Sequence, residues 1–202
     1  MTCTEETVEI EATAAALRHA MGNFATGVTV ITSVDAAGRP AGTTANAVSS
    51  LSLDPPLLLV CLDRTSQTLA AIATHGAFAV NILAAPQEEL SANFARCGPA
   101  ADWNGVPHRP GLTGSPRLHG VLATLECTVE HRLPGGDHEI VIGRVRHAHV
   151  DDGEADPLLF WRGRYASLAG QYASLGDLVM TRWGARRPPL ASRRHRRQAA
   201  CR

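Results

Sequence analysis

Apolar and polar positions recur with two different periods along the chain, and each change of period marks a new element. Between residues 12 and 24, apolar residues recur at offsets of three, four and seven, which predicts a short amphipathic helix. The residues on this face are Leu17, Ala20, Met21 and Phe24. From Thr26 the pattern becomes the β-branched run TGVTVITSV, followed after a turn by the small and polar run AGTTANAVSS. These two runs predict a β-hairpin.

The middle of the chain alternates short apolar runs with two further helices. Pro55 and Pro56 introduce the run LLLVCL, which has the length of a buried strand. Thr65 or Ser66 can cap a helix that ends near Gly76, and AFAVNIL predicts the next strand. Residues 86–96 begin with a proline and two glutamates, which favours another helix.

The last third predicts mostly strands. Residues 97–118 hold several Gly and Pro around Trp103 without any period, so we expect a long surface loop there. VLATLECTVEHRL and HEIVIGRVRHAHV then predict two long strands joined by the turn PGGD, and LLFWRGRYASL predicts a final pair of short strands.

About seven strands with short links and two or three inserted helices predict a mainly β, antiparallel fold. A closed or partly closed barrel is the expected architecture, because strands and helices do not alternate as they do in a Rossmann sheet. We expect an N-terminal extension over residues 1–11, one domain over 12–168, and an Arg-rich, flexible tail over 169–202.

Composition changes this picture little. The 202 residues are 45% hydrophobic, with no apolar run long enough to span a membrane. The formal net charge of zero conceals an asymmetry, since eight of the 19 basic residues, all of them Arg, follow Thr181. A basic tail can bind nucleic acid, but no base-reading element accompanies it, so a solvated tail is expected.

Cysteine usage and the first residues favour a cytoplasmic protein. The five cysteines form no Cys-x-x-Cys pair and no even disulfide framework. The opening MTCTEETVEIEATAAALRHA is acidic and lacks the features of a signal peptide. Cys61 and Cys127 are expected to be small buried hydrophobic residues, not redox centres.

The familiar catalytic motifs are missing, which argues against hydrolase and kinase functions. The chain has no Gly-x-Gly-x-x-Gly, no Walker loop, no Gly-x-Ser-x-Gly and no His-Glu-x-x-His. His147 and His149 share a strand face, yet no acid or Cys partner has metal-ligand spacing, so we expect two solvated histidines on an edge strand and no metal.

Two segments can form a binding site. In TTANAVSSLSLDPPLLLVCLDRTSQT, small residues let a flat ring approach the backbone, and a helix start with Arg64 and hydroxyl groups suits a phosphate. The chemistry points to a phosphorylated aromatic cofactor, with an ordinary Ser-rich hairpin as the alternative. The second segment is GGDHEIVIGRV.

At these residues the chain resembles the flavin reductases that serve two-component flavin-dependent monooxygenases. The resemblance lies in FATGVTVIT, TTANAVSSLSLDPPLLLVC, FAVNIL, SANFA, GGDHEIVIGRV and PLLFWRGRY, which run in order from about Leu17 to Leu168. It implies an FMN-binding split β-barrel with Greek-key-like connections, a homodimer with flavin near the interface, and reduction of FMN or FAD by NADH or NADPH. The reduced flavin would pass to a partner monooxygenase.

The resemblance also implies particular contacts. Thr44, Ala45, Asn46 and Ala47 would line the flavin ring, and Cys61, Leu62, Asp63 and Arg64 would border it. Ser66 and Thr68 would hold the phosphate, and Asn81 and Phe94 would lie near the flavin. Gly136, Asp137 and His138 match a motif associated with nicotinamide binding, in which His138 would position the nucleotide and not act as a general acid. Hydride transfer needs ring stacking more than side-chain chemistry.

Two departures from the family pattern modify this expectation. Ala47 stands where many relatives have Ser, which removes a hydroxyl donor, and Trp103 stands where a smaller aromatic is common, which alters the cover of the ring. Trp161 and Tyr165 are expected to be core and rim aromatics. The main alternative function is a flavin-retaining oxidase of the pyridoxamine phosphate oxidase kind on the same barrel.

Overall fold

The computed structural model describes residues 12–95, 101–153 and 155–168. The predicted N-terminal extension over 1–11 and the Arg-rich tail over 169–202 lie outside these ranges, as do Cys3, Cys97 and Cys201. The proposed domain boundaries therefore stay predictions.

Three α-helices and one short 3-10 helix form where capping residues and apolar periods predict them. Helix α1 spans Ala14–Met21, α2 spans Gln67–His75, and a 3-10 turn over Ala85–Gln87 leads into α3, Glu88–Phe94. Ser66 caps α2, and Gly76 ends it in the left-handed conformation that glycine adopts without steric cost. All three predicted helices are confirmed.

The described part of the chain contains twelve strands. They are β1 Thr26–Gly27, β2 Thr29–Val34, β3 Pro40–Ala45, β4 Val48–Leu53, β5 Pro56–Asp63, β6 Ala77–Ile82, β7 His108–Pro110, β8 Pro116–Leu118, β9 Ala123–Gly135, β10 His138–Val150, β11 Leu159–Trp161 and β12 Arg164–Ala166. The two long strands and the final short pair are confirmed as predicted.

Seven of these strands form one antiparallel sheet in the order β3-β2-β6-β9-β10-β5-β4. Strands β1, β11 and β12 form a second small sheet, and β7 pairs with β8. The main sheet is open, because β3 and β4 each pair with one neighbour within the described residues. The prediction of a mainly β, antiparallel fold is confirmed.

The run AGTTANAVSS, predicted as one strand, is two. Strand β3 ends at Ala45 and β4 begins at Val48, and these strands lie at opposite edges of the main sheet. Two residues cannot span a flat seven-stranded sheet, since neighbouring strands are about 4.8 Å apart. The sheet therefore curls until its two edges meet at Asn46 and Ala47.

Two hydrophobic cores hold the curled sheet together. The first lies between the main sheet and α2 and includes Ile72, Phe78 and Val141, all fully buried. The second packs Phe94 of α3 against Val30 and Leu83. Fully burying each such side chain contributes about 1.5–3 kcal/mol to folding.

The segment predicted as an irregular loop over 97–118 is more ordered than expected. Its described part contains the β7–β8 hairpin, and Trp103 packs edge-on against Phe94 with ring centroids 4.9 Å apart. Three-residue strands are too short to produce a visible period, which is why the pattern predicts a loop.

Helix α1 is confirmed, but its apolar face is not covered by the rest of the described chain. Leu17, Met21 and Phe24 are 66%, 55% and 66% exposed. Among the described helices, none is long and apolar enough to cross a membrane.

Candidate functional site

A cleft of about 190 Å³ opens where the two edges of the main sheet meet. Four parts of the chain contribute to it: the β3–β4 junction, the end of β5, the start of α2 and the start of β10. Its lining residues are Thr43, Thr44, Ala45, Asn46, Ala47, Cys61, Leu62, Asp63, Ser66 and His138. Nine of the predicted binding residues are thus brought together.

The β3–β4 junction presents backbone to this cleft. The carbonyl of Ala47 accepts a hydrogen bond of 3.0 Å from the amide of Cys61 on β5, which anchors the crossing. Ala45 and Ala47 add only methyl groups, and the exposed Asn46 lies between them. Thr44 contributes little from its hydroxyl group, since this group donates to the carbonyl of Ser91 at 2.7 Å. A flat ring can therefore lie close to the main chain here.

The start of α2 suits an anion. The amides of Gln67 and Thr68 have no hydrogen-bond partner among the described residues, because Ser66 Oγ accepts from Leu69 instead, at 3.4 Å. Such first-turn amides, at the positive end of the helix, are a common phosphate site. The Thr68 side chain itself is buried and faces the core, so only its backbone can contribute.

The β9–β10 turn borders the cleft next to the end of β5. Gly136 has a φ of 74°, a value that a side chain would strain, and Asp137 offers its carbonyl to the amide of Arg64 at 3.1 Å. The Arg64 guanidinium lies 3.4 Å from the Gly136 carbonyl. These contacts tie the turn to the end of β5, and place Arg64, Gly136 and Asp137 beside the cleft, not in its lining.

His138 lies between two carboxylates. Its Nδ1 is 2.8 Å from Asp137 Oδ1, and in the sheet it stands directly opposite Asp63. Hydrogen bonds from the Thr65 hydroxyl and amide, with a further contribution from His138, lower the pKa of Asp63. The hydrogen bond with His138 lowers the pKa of Asp137. Both carboxylates are therefore anionic at neutral pH, and they orient the imidazole.

Two predicted flavin neighbours are core residues in the structure. Asn81 is fully buried, and its amide bonds Val30 O, Thr32 Oγ1, Leu118 N and Thr124 Oγ1 at 3.0–3.2 Å. Phe94 is 2% exposed and fills the space beside Gly42. Neither residue lines the cleft, so the geometry gives them a structural role.

The expectations for the cysteines and for the histidines of β10 are met only in part. Cys127 is buried as expected, and burial raises the pKa of its thiol to about 12. Cys61 is only half-buried and lines the cleft. The described residues contain no group of His, Cys, Asp and Glu suited to a metal. His149 is only partly solvated, since its side chain is 35% exposed and its Nε2 lies 3.1 Å from Oε1 of the buried Glu126. This end of β10 pairs with β9 alone, so it is a local sheet edge, as expected.

Thr43 is the one lining residue that was not predicted. It directly precedes Thr44 in the same run of small, polar residues, and that run was the available signal.

The predictions for the aromatic residues Trp161 and Tyr165 fit the packing. Trp161 is 45% exposed, and Tyr165 joins the second core while its hydroxyl lies 2.9 Å from Ser91 Oγ.

Fold and cleft together define a class: an antiparallel split barrel whose sheet edges meet at a backbone-lined cleft beside a helix N-terminus. Comparison with known proteins gives the family. Residues 21–169 match the family model described as "Flavin reductase like domain". The chain belongs to this family.

Individual relatives agree with this assignment. The chain is 41% identical over 155 residues to "Flavin-dependent monooxygenase, reductase subunit HsaB" of Rhodococcus jostii (strain RHA1), covering 75% of this chain and 76% of that protein. It is 44% identical over 84% of its length to a "Probable flavin reductase" of Rhizobium meliloti (strain 1021), of which it spans only 54%.

A solved structure confirms the fold. "Streptomyces globisporus C-1027 NADH:FAD oxidoreductase SgcE6 in complex with NAD and FAD fragments" superposes with a TM-score of 0.75 at 32% identity, over 82% of this chain and 99% of that one.

Proposed function

We propose that this protein is an NADH-dependent flavin reductase that releases reduced flavin to a partner monooxygenase. The observation that carries the proposal is the meeting of the β3–β4 junction, the α2 N-terminus and His138 in one cleft, in a chain of the flavin reductase like family. The flavin supplies the hydride acceptor, so the protein has to bind, stack and orient two substrates.

The flavin ring would lie along the β3–β4 junction. Ala45 and Ala47 leave room for a flat ring, and edge-strand backbone groups can hydrogen-bond its polar rim. Backbone N–H groups close to the ring would stabilise the negative charge that forms on reduction. The phosphate would accept from the free amides of Gln67 and Thr68, with Ser66 and Arg64 alongside.

The nicotinamide would approach from the β9–β10 turn. His138 is 44% exposed on its side chain and held by Asp137, so its second ring nitrogen is available to a substrate. We assign His138 the positioning of the nucleotide. The choice of NADH as the nucleotide is supported by the NADH in the name of the Streptomyces structure.

Whether FMN or FAD is preferred is a question for the assay. The cleft would hold the ring and the first phosphate, which the two flavins share.

A partner monooxygenase is supported by the name of the Rhodococcus relative, a reductase subunit of such an enzyme.

We also propose that the protein is a homodimer. Leu17, Met21 and Phe24 form an exposed apolar stripe on and after α1, and Leu53 of the edge strand β4 is 89% exposed. Exposed apolar groups of this size mark interaction surfaces.

A cytoplasmic location is proposed because Cys61 and Cys127, the described cysteines, are both free thiols.

A steady-state assay tests the proposal. The full chain is mixed with FMN or FAD and with NADH or NADPH, and nucleotide oxidation is followed. We expect turnover that requires added flavin and is faster with NADH. A purified protein that is yellow and consumes oxygen with no added flavin would instead identify the oxidase. No turnover with any of the four pairs would overturn the proposed function.

A further inference from the structure

A second, larger pocket of about 380 Å³ lies far from the cleft. It is formed by the β7–β8 hairpin, the start of β9 and the end of β10. His149, one of its lining residues, is eleven positions along β10 from His138 in the cleft, which corresponds to about 35 Å along an extended strand. The two pockets are therefore separate sites.

Two arginines face each other across the β7–β8 hairpin at this pocket. Arg109 on β7 and Arg117 on β8 are directly opposite each other in the hairpin register, and both line the pocket. Like charges directly opposite each other destabilise a pair of strands. The hairpin therefore keeps a repulsive pair that an anion between the two guanidinium groups would convert into an attractive one.

The Arg117 guanidinium is short of hydrogen-bond acceptors within the described residues. Its side chain is only 14% exposed, and its buried Nε has no hydrogen-bond partner in the described part of the chain. The nearest carboxylate oxygen is Glu126 Oε1 at 3.8 Å, beyond hydrogen-bond distance. That carboxylate already accepts from Thr113 at 2.8 Å and lies 3.1 Å from the His149 imidazole.

Burial and the neighbouring Arg109 charge lower the pKa of Arg117, and the Glu126 carboxylate only partly offsets them. Desolvation without a partner is costly for any charged group. Position, burial and charge thus each indicate a missing acceptor at the same guanidinium.

The other lining residues indicate what the rest of the ligand should be like. Leu118, Val121 and Val150 give the pocket an apolar side, and His119 adds a further nitrogen donor. Asp151 also lines the pocket, so a positively charged group on the ligand would be attracted at that end. A volume of this size exceeds what a lone inorganic ion needs and falls in the range of small organic ligands.

We propose that this pocket binds a small organic anion, with its carboxylate or phosphate group held between Arg109 and Arg117 and its apolar body against Leu118 and Val121. The site is distinct from the flavin and nicotinamide cleft, and its occupation does not depend on the proposed reductase activity.

Titration calorimetry on the full chain tests this inference, with benzoate, phenyl phosphate and inorganic phosphate at millimolar concentration as probes and benzyl alcohol as the uncharged control. We expect benzoate or phenyl phosphate to bind and benzyl alcohol not to bind. Arg109→Gln and Arg117→Gln should each weaken binding by roughly tenfold to a hundredfold, the effect of losing a hydrogen bond to a charged group.

Arg39→Gln is the matched control, because Arg39 is an exposed arginine paired with Asp35 and does not line the pocket. It should leave binding unchanged. Arg109 is exposed, so Arg109→Gln tests the site even if Arg117→Gln fails to fold. Inorganic phosphate binding as tightly as the aromatic probes, with the same arginine dependence, would overturn the apolar part of the proposal. No binding of any anion, or binding that is unaffected in Arg109→Gln, would overturn the site itself.

Discussion

The amide of Cys61 donates a 3.0 Å hydrogen bond to the carbonyl of Ala47, and this bond fixes the place where the chain passes from one edge of the main sheet to the other. Because the strands on either side of Ala47 belong to opposite edges, the crossing curls the sheet. The same crossing exposes the backbone that lines the cleft. Fold closure and the proposed flavin site thus depend on one two-residue junction.

A larger side chain at the junction should block the flavin. Ala47→Val adds two methyl groups on the cleft side while keeping the Cys61 hydrogen bond, which uses backbone atoms only. We expect the KM for flavin to rise about tenfold, equivalent to about 1.4 kcal/mol, with little change in the KM for NADH. Steady-state kinetics with each substrate varied in turn would measure both.

Ala148→Val provides the control, since Ala148 is exposed on β10 and remote from the cleft. It should leave both constants unchanged. An Ala47→Val protein that is as stable as the parent and keeps its flavin KM would place the ring elsewhere.

His138 and Ser66 both line the cleft and should affect different substrates. His138→Ala removes the imidazole beside Asp137 and should raise the KM for NADH roughly tenfold to a hundredfold, with flavin little affected. Ser66→Ala should do the reverse by a smaller factor. The two Michaelis constants of both variants give the comparison.

Ser66 also caps α2, so its loss should cost about 1 kcal/mol of stability. Thr13→Ala removes the corresponding cap of α1 and should cost stability without any effect on flavin. Equal effects of His138→Ala on both substrates would contradict the proposed arrangement.

Elements with a strong local signal were predictable from the sequence. The α2 boundaries follow from Ser66 and Gly76, and the β9–β10 hairpin follows from two long β-branched runs around PGGD. The nine correctly grouped cleft residues come from the resemblance to a family, because a cleft formed by distant segments leaves no local pattern. Their binding roles are still predictions.

Features that depend on tertiary contacts could not be predicted in this way. AGTTANAVSS is uniformly small and polar, and nothing in it marks Asn46 and Ala47 as a crossing between sheet edges. In the sequence, Asn81 looks like a polar residue that could bind a ligand. In the structure, its side-chain amide is fully used in four hydrogen bonds within the core. Glu126 sits in a strand pattern that offers no sign of its complete burial.

Gly143 on β10 leaves room for two side chains of the first core, Phe78 and Cys127. A Cβ at this position would lie 2.5 Å from the Phe78 ring and 2.9 Å from Cys127. Gly143→Val should therefore lower the free energy of unfolding by about 1–3 kcal/mol. Urea denaturation would measure the change. Gly27→Ala is the control, because nothing lies within 4 Å of its Cβ position, and it should be close to neutral. Equal stability of both variants would show that the core repacks freely.

The last prediction concerns the buried carboxylate of Glu126. Burial alone would raise its pKa, but the Thr113 amide and hydroxyl, His149 and Arg117 outweigh burial and lower the pKa below its ordinary value of 4.5. A lowered pKa in the folded state stabilises the fold above the unfolded pKa, and this stability is lost as the pH falls through the folded pKa. Glu126→Gln has the same shape but no charge to titrate.

At neutral pH, Glu126→Gln should therefore be less stable than the parent by about 1–3 kcal/mol, because the partners of the carboxylate lose a charged acceptor. The gap should narrow as the pH falls from about 4.5, the pKa of the unfolded chain, through the lower pKa of the folded carboxylate. Urea denaturation at a series of pH values would show this convergence. Glu89→Gln, on the exposed face of α3, should be close to neutral in stability at pH 7. A gap for Glu126→Gln that stays constant into acid would mean that shape, and not charge, makes Glu126 necessary.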